Sequence, residues 1–563
     1  MYQKKYYNKR GGNEAPTRVH NNNANNVNNI NNNNNTNNTN NSGQVDIKTE
    51  IKPILTFNNE KDYVEFFTKN KRTCEYLGDY YIHSNKADII NKLKSLPDRV
   101  NPSLSNSQNN SKIVYAEESD PEYEGIMNKI NAHKEWYNVN ENYQEKLLNT
   151  FEYMFEHISR GIFISIRNQA IHELIIFANP NYVNNWSQNL KFENNQTQEE
   201  YYRSKSKYYK RKEHILPMKN WYAGGFLIDN EYPFKYENGK RINMLWTNHS
   251  LIPILDMLTT LVNCRKVKDC DFFINKRDHA VLRKSLEEPY RNLHPEPLPT
   301  IPDKYRLPTN GTGGNNFVPI MSFYGSDTFA DVLFPCAEDW TIACGTIFMQ
   351  GDEKPAAGFA DVNYMKYEHI NWEDKIPTAV FRGRGTGGSN LENNQRFQLA
   401  TFADELNDKS ILDVGIISYN IRDKVNYTPR LTITYPKPDT LPFKMGEFMS
   451  MNQQMLYKYH LSVQGHAAIN RTSYMYKSKS LVMVLEPQFT EVSEQWFSTI
   501  FKENVDYVQV KKDFSDIVPK IEWCREHDEE CREMTMSALN KQRKYLSKSG
   551  ILNYLQILIN EIY

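Results

Sequence analysis

Three short segments carry the residue types and spacings best suited to chemistry. The first, 376–400, reads IPTAVFRGRGTGGSNLENNQRFQLA. An apolar run, Thr378–Phe381, leads into Arg382-Gly383-Arg384-Gly385-Thr386-Gly387-Gly388-Ser389 and then into helix-compatible residues. Glycines let a backbone turn tightly and bring N–H groups near an anion. Arginines add forked donors that fit phosphate, and Thr386 and Ser389 add hydroxyls. No Gly-Lys-Ser/Thr follows, so this is not a Walker A loop, and it is not read as a dinucleotide fingerprint either. A plain surface loop, or an arginine–glycine contact to nucleic acid, would have the same composition.

The second segment, 457–473, reads YKYHLSVQGHAAINRTS. It predicts a strand ending at Val463, a turn through Gly465, His466, Ala467 and Ala468, and a helix carrying Arg471 about one and a half turns in. Small residues there would let the helix start approach a diphosphate, with Arg471 reaching the same phosphates. A salt bridge along the helix is the competing use of Arg471. In the third segment, DCDFFINKRDHAVLR at 269–283, a buried run Phe272–Asn275 ends in Lys276-Arg277-Asp278-His279. Open α/β sheets place their chemistry just past strand ends, which makes Asp278 a candidate acid or base. Capping a turn is its plainer role. Asp269-Cys270-Asp271 precedes its strand rather than following it, so it is read as incidental and not as a metal site.

The elements that must hold these segments follow from the apolar pattern. Residues 143–160 place Leu147, Leu148, Phe151, Met154, Phe155 and Ile158 at helical spacing, with Gly161 as the stop. Residues 161–178 read as two short strands around a polar turn, giving the N-terminal half a core of its own. From 270 onward, short apolar runs at 272–275, 318–323, 379–383, 411–418, 459–463, 480–487 and 507–510 predict parallel sheets with helical crossovers. The last 40 residues read as helices broken by a turn at Gly550.

Composition narrows the class. Lys plus Arg is 68 and Asp plus Glu is 68 in 563 residues, a balance that argues against coating nucleic acid or an anionic membrane. The chain has no apolar run long enough to span a bilayer, and its basic first 20 residues lack the apolar core of a secretory signal. Seven cysteines without metal-finger spacing then read as reduced thiols in a cytosol-like compartment. Residues 21–41 hold 16 Asn, so 1–45 is expected to be a disordered head, and Asn101 to Lys112 a polar linker or loop. YYRSKSKYYKRK, 201–212, interleaves six basic residues with Tyr and would suit single-stranded nucleic acid, although a solvated surface is the simpler reading.

Taken together, FFINKRD (272–278), VPIMSFYGSDTFADVLFP (318–335), AVFRGRGTG (379–387), YKYHLSVQGHAAINR (457–471), SLVMV (480–484) and DYVQVKKDFSDIVPKIEW (506–523) resemble glycosyltransferase family 90 over about 245 to 545. That family includes protein O-glucosyltransferases, capsule xylosyltransferases and a lipopolysaccharide-modifying type. The region 143–185 and Glu288-Pro289-Tyr290 resemble its version in large DNA viruses. The resemblance implies a GT-B fold, in which two Rossmann-like domains face each other across a cleft and C-terminal helices cross back. On that plan 46–240 is an accessory or acceptor-side α/β module, 241–365 the rest of the acceptor-side domain, 366–520 the donor domain and 521–563 the C-terminal helices.

The implied activity is inverting transfer of a sugar, glucose or xylose, from a UDP-sugar to a hydroxyl of a protein or glycan acceptor, with no cofactor or essential metal. Asp278 maps onto the family's general base. Arg382, Gly383, Arg384, Gly385, Thr386 and Gly387 map onto its phosphate loop, and Gly465, Ala468 and Arg471 onto its second diphosphate motif. A carboxylate of ordinary acidity is ionised at neutral pH and can take the acceptor proton. Arg384 and Gly385 stand where the protein O-glucosyltransferases have Ser and Arg, His279 replaces an aromatic, and Asp506-Tyr507 replaces His-Tyr. A catalytically inactive, family 90-like structural or virion-associated binding protein is the rival reading. The expected location is the host cytosol, a viral factory or the virion, without secretion.

Overall fold

The computed structural model describes residues 82–83, 85–100, 120–158, 160–179, 252–289, 316–343, 370–388, 390–419 and 438–563, with isolated residues and short strands between them. The asparagine tract, the 101–112 stretch and the 201–212 basic segment lie outside the described residues.

Two sheets organise what is described. The first contains β1 (Ile82–His83), β2 (Arg160–Arg167), β3 (Ala170–Ala178), β4 (Cys270–Ile274), β5 (Ile320–Ser322) and β6 (Val332–Leu333), in the order β1-β3-β2-β4-β5-β6. β2 and β4 are buried along their whole length, as expected of central strands covered on both faces. The second contains β7 (Ile376–Gly385), β8 (Leu412–Tyr419), β9 (Tyr457–Ser462), β10 (Leu481–Leu485) and β11 (Val508–Val510), in the order β8-β7-β9-β10-β11 with every pairing parallel.

The helices are α1 (Lys86–Lys94), α2 (Glu124–Tyr137), α3 (Tyr143–Glu152), α4 (Ile252–Cys264), α5 (Ala337–Ala343), α6 (Gln395–Leu406), α7 (Met451–Gln454), α8 (Thr472–Lys477), α9 (Ile517–Glu526), α10 (Asp528–Tyr545) and α11 (Lys548–Ile562). α10 packs on α8 and β10 of the second sheet, whereas α11 returns to α2 and α4 on the first. Tyr554 Oη donates to Leu333 O at 2.6 Å, and Arg265 donates to Asn553 and Ser549. The C-terminal helices therefore do cross back.

Four expectations are corrected. The first sheet is mixed, because β2 runs antiparallel to both neighbours. Asn168 and Gln169 at its tip have φ of 48° and 62°, the left-handed pair that closes a two-residue hairpin. Among the described residues the N-terminal half has no separate core: Phe163 and Ile175 share one apolar cluster with Phe273, Ile320, Leu555 and Leu558. Helix α3 gives way to a wider π-turn, Tyr153–Ile158, and Gly161 lies inside β2 rather than ending a helix. The C-terminal break falls at Leu546–Ser547, where the Ser547 hydroxyl caps α11 by accepting from Gly550 N, so Gly550 belongs to the helix.

Candidate functional site

Strand order alone singles out one edge of the second sheet. The chain enters at β7, places β8 on one side and then winds to β9 on the other. Crossovers leaving in opposite directions open a crevice at the carboxyl ends of β7 and β9, where open parallel sheets bind ligands. Arg382–Gly385 form the carboxyl end of β7, Thr386–Gly388 follow it, and the Gly465–Arg471 turn follows β9.

The register of β7 slips between Gly383 and Arg384, a bulge that re-aims the strand end. Arg382, before the bulge, pairs with Asp413 of β8 at 2.7 Å and also donates to the Asp413 and Phe381 carbonyls. Its guanidinium is thus committed to the sheet, against the expectation that it cradles phosphate. Arg384, after the bulge, is exposed. The sequence left open which arginine faces a ligand, and only the pairing of Asp413 with Arg382 separates the two.

Arg471 donates to the Arg382 carbonyl at 2.9 Å and lies 5.3 Å from the centroid of the Phe381 ring. It does not sit one and a half turns into a helix. The segment 464–471 is an irregular turn, and Arg471 immediately precedes the six-residue α8. The Gly465 and Ala468 amides donate to Ala467 O and Val492 O, so they stabilise the turn itself instead of meeting a ligand.

Gly387 adopts φ +126°, a region closed to most side chains, and its N–H donates to His466 Nδ1 at 3.2 Å. A Cβ on Gly465 would lie 2.6 Å from Thr386 Oγ1, so glycine is what lets the two loops touch. Thr386 N donates to Arg384 O, which leaves its hydroxyl as that residue's polar group for a ligand. Gly383 and Gly385 are strand residues. Gly383, Gly385 and Gly388 do have G-x-G-x-x-G spacing, but α6 begins only at Gln395, too far on for its N-terminus to close the loop. Ser389 lies outside the described residues.

Sequence reasoning missed Arg396. It is half-buried in the first turn of α6, oriented by the Asn394 cap, and donates to the carbonyls of Arg384, Val463 and Gln464 and to Thr386 Oγ1. Burial, and then the charge of Arg471, pull its guanidinium down to about 9, still protonated at neutral pH. An arginine two residues past an Asn cap was the available signal, but an exposed helix face would have given the same pattern.

On the first sheet, β4 ends in a turn set by Asn275. Its Oδ1 accepts from Arg277 N at 2.9 Å, and its Nδ2 donates to His279 O and Ser322 Oγ. Asp331 takes the Val281 and Leu282 amides and the Ser322 hydroxyl. Arg277 donates to Ile158 O at 2.6 Å, and Tyr153 Oη donates to Val281 O, so the π-turn braces the same loop. Between buried Arg277 and buried His279, Asp278 is exposed at the carboxyl end of a parallel strand. Burial and the charges of Arg277 and Arg160 hold His279 far below the usual imidazole range, so it is neutral.

Burial raises Asp331 to about 6 against the lowering by its hydrogen bonds. A folded value above the unfolded one means that the native state binds the extra proton, so this group's contribution to stability falls as pH rises from about 4 to about 6. Carboxyl-carbon NMR is expected to find its midpoint near the upper end of that window. A midpoint at the ordinary aspartate value would contradict the burial argument.

The two sheets meet beside these loops. Gly325 and Glu494 exchange backbone hydrogen bonds, Asn470 donates to Glu338 of α5, and Asp339 accepts from Ser473 and Trp496. The loop after β5 and helix α5 therefore abut the turn that carries Arg471. Asp269 and Asp271 are engaged elsewhere: Asp271 accepts both Arg167 Nη atoms and Tyr143 Oη, and Asp269 accepts the Asn168 and Val100 amides. Asp506, where the family pattern has His, holds Ser537, Lys541 and the Lys502 amide.

Two α/β sheets with polar loops at the carboxyl ends of their parallel strands define the class. Residues 240–563 match the family model described as Glycosyl transferase family 90, and the chain belongs to that family. It is 30% identical over 73% of its length to Uncharacterized protein 035R of Invertebrate iridescent virus 3, and 29% identical over 75% to Uncharacterized protein 179R of Invertebrate iridescent virus 6. It spans only 36% and 37% of those two proteins. Protein O-glucosyltransferase 2 of Danio rerio is 21% identical over 43% of this chain and 42% of its own length. A solved structure of TarM aligns over 38% of each chain at 13% identity and a TM-score of 0.24. Among the described residues, no helix is long and apolar enough to cross a membrane.

Proposed function

We propose that the protein transfers a sugar from a UDP-sugar to a hydroxyl of a protein or glycan acceptor, with inversion, in a cleft between two Rossmann-like domains of GT-B type. The observation that supports this reading is the contact of Arg471 with the Arg382 carbonyl and of Gly465 with Thr386 at the β7/β9 crevice of a sheet in a family 90 chain, with Arg384 exposed between Arg382 and Thr386 in sequence. The diphosphate would lie against the Arg384 and Arg471 guanidiniums and the Thr386 hydroxyl, with Gly383, Gly385, Gly387 and Gly465 shaping the loops and Arg382 holding the strand end. Asp278 would take the proton of the acceptor hydroxyl as it attacks the anomeric carbon. The C–O bond to UDP breaks from the opposite face, and the leaving diphosphate gains charge beside the arginines, which stabilises the transition state more than the ground state. The guanidiniums carry the charge that a metal supplies in metal-dependent transferases.

Isothermal titration with UDP tests this directly. Micromolar-to-millimolar binding is expected, equal in EDTA and in Mg²⁺. Absence of binding in both conditions refutes the reading. Arg384→Ala should weaken binding about 10-fold or more, the loss of a charge-assisted bond, while leaving the melting temperature unchanged because the side chain is exposed. Equal affinity for variant and parent would remove Arg384 from the donor site.

A further inference from the structure

We infer that Arg396 is a positioning residue of the donor site: its guanidinium fixes the Thr386 oxygen so that the hydroxyl hydrogen is left to donate to the diphosphate, and it locks together the two loops that flank that group. The inference deepens the proposed function and rests on it.

The geometry is specific. Arg396 Nη1 donates to Arg384 O at 2.8 Å and to Thr386 Oγ1 at 2.9 Å. Nη2 donates to Val463 O at 2.9 Å, and Nε to Gln464 O at 3.1 Å. One planar fork therefore joins the carboxyl end of β7 to that of β9, the two sides of the crevice. A lysine could not do this, because its ammonium is a single point on a flexible stem. A guanidinium is only a donor, so Thr386 must accept from it. The hydroxyl keeps its one hydrogen, and the adjacent positive charge strengthens it as a donor. Gly465 makes the arrangement possible, since a Cβ there would lie 2.9 Å from Arg396 Nη2 and 2.6 Å from Thr386 Oγ1.

Electrostatics point the same way. The acceptors that hold Arg396 are carbonyls and a hydroxyl, all uncharged, and its charged neighbour is another cation, Arg471. Among the described residues no carboxylate forms a salt bridge with it. Arg396 is only half-buried, but an arginine drawn partly out of water is still favoured by a nearby anion, because removing an unpaired charge from water is costly. Two cations behind one crevice are relieved by an anion in front of it, which is what a bound diphosphate provides.

The test is a double-mutant cycle read by UDP titration, with thermal melting as the control for folding. Arg396→Lys keeps the charge and loses the fork, and Thr386→Val removes the hydroxyl with little change of shape. Each is expected to weaken UDP binding about 10-fold, the size of one lost charge-assisted bond. The double variant should be little weaker than either single, because both act through the same hydrogen. A purely structural Arg396 would lower the melting temperature while folded protein bound UDP as the parent does, and that result overturns the inference. So does full additivity of the two losses. Failure of the parent chain to bind UDP overturns the donor-site reading itself, whereas normal parental binding with an unaffected Arg396→Lys overturns this inference alone.

Discussion

Asp278→Asn should abolish sugar transfer while leaving UDP affinity close to that of the parent. Removing a general base typically costs about 10²–10⁴-fold in rate, or about 3–5 kcal/mol of transition-state free energy. Binding should survive because Asp278 sits on the β4 turn of the first sheet, whereas the residues proposed to hold the diphosphate belong to the second. Folding should survive because the turn is held by Asn275, Arg277 and Asp331, and the Asp278 side chain is exposed. Single-turnover transfer and UDP titration on the same preparation separate the possibilities. Loss of both activities would make Asp278 a structural residue, and retention of both would move the base elsewhere.

Asp271→Ala should be the most destabilising of the substitutions considered. The carboxylate is fully buried, chelated by Arg167 at 2.7 and 2.9 Å, and accepts Tyr143 Oη at 2.6 Å. Deleting it strands a buried guanidinium, which typically costs about 3–5 kcal/mol, whereas replacing both partners with apolar residues costs far less. Urea unfolding of Asp271→Ala, and of Arg167→Met with Asp271→Leu, measures both quantities. A single-variant loss below about 1 kcal/mol would mean that Arg167 finds another partner or solvent, contrary to the burial described here.

Much of the second sheet was legible because its strands are continuous apolar runs in a parallel sheet, the pattern least dependent on distant context. The runs at 379–383, 411–418 and 480–487 became β7, β8 and β10 with ends moved by a few residues. The turn after β9 was less legible: Gly465, Ala467 and Ala468 suit a helix start as well as the bend they form, and the bend is fixed by Val492 from elsewhere in the chain. The roles of Arg382 and Arg384 depend on Asp413, thirty residues on, and on a bulge that no local pattern marks. Arg396 was hidden for a related reason, since its partners lie on two strand ends that meet only when the sheet is wound. In the first sheet, the two strands around a polar turn read at 161–178 are β2 and β3, closed by Asn168-Gln169, whereas the antiparallel pairing of β2 with the distant β4 had no local signal.

The return of α11 to the first sheet sets an order of events during synthesis. Ile89 and Leu93 share a cluster with Leu555, Leu558 and Ile562, so a seam laid down early is sealed by residues synthesised far later. Until then the nascent polypeptide must keep the oily flank of α2 and α4 uncovered while the later sheet is still emerging, a state prone to sticking to its neighbours. Clipping the chain near Ser547 should therefore yield aggregates rather than a smaller folded protein, although every residue of both proposed ligand loops would still be present.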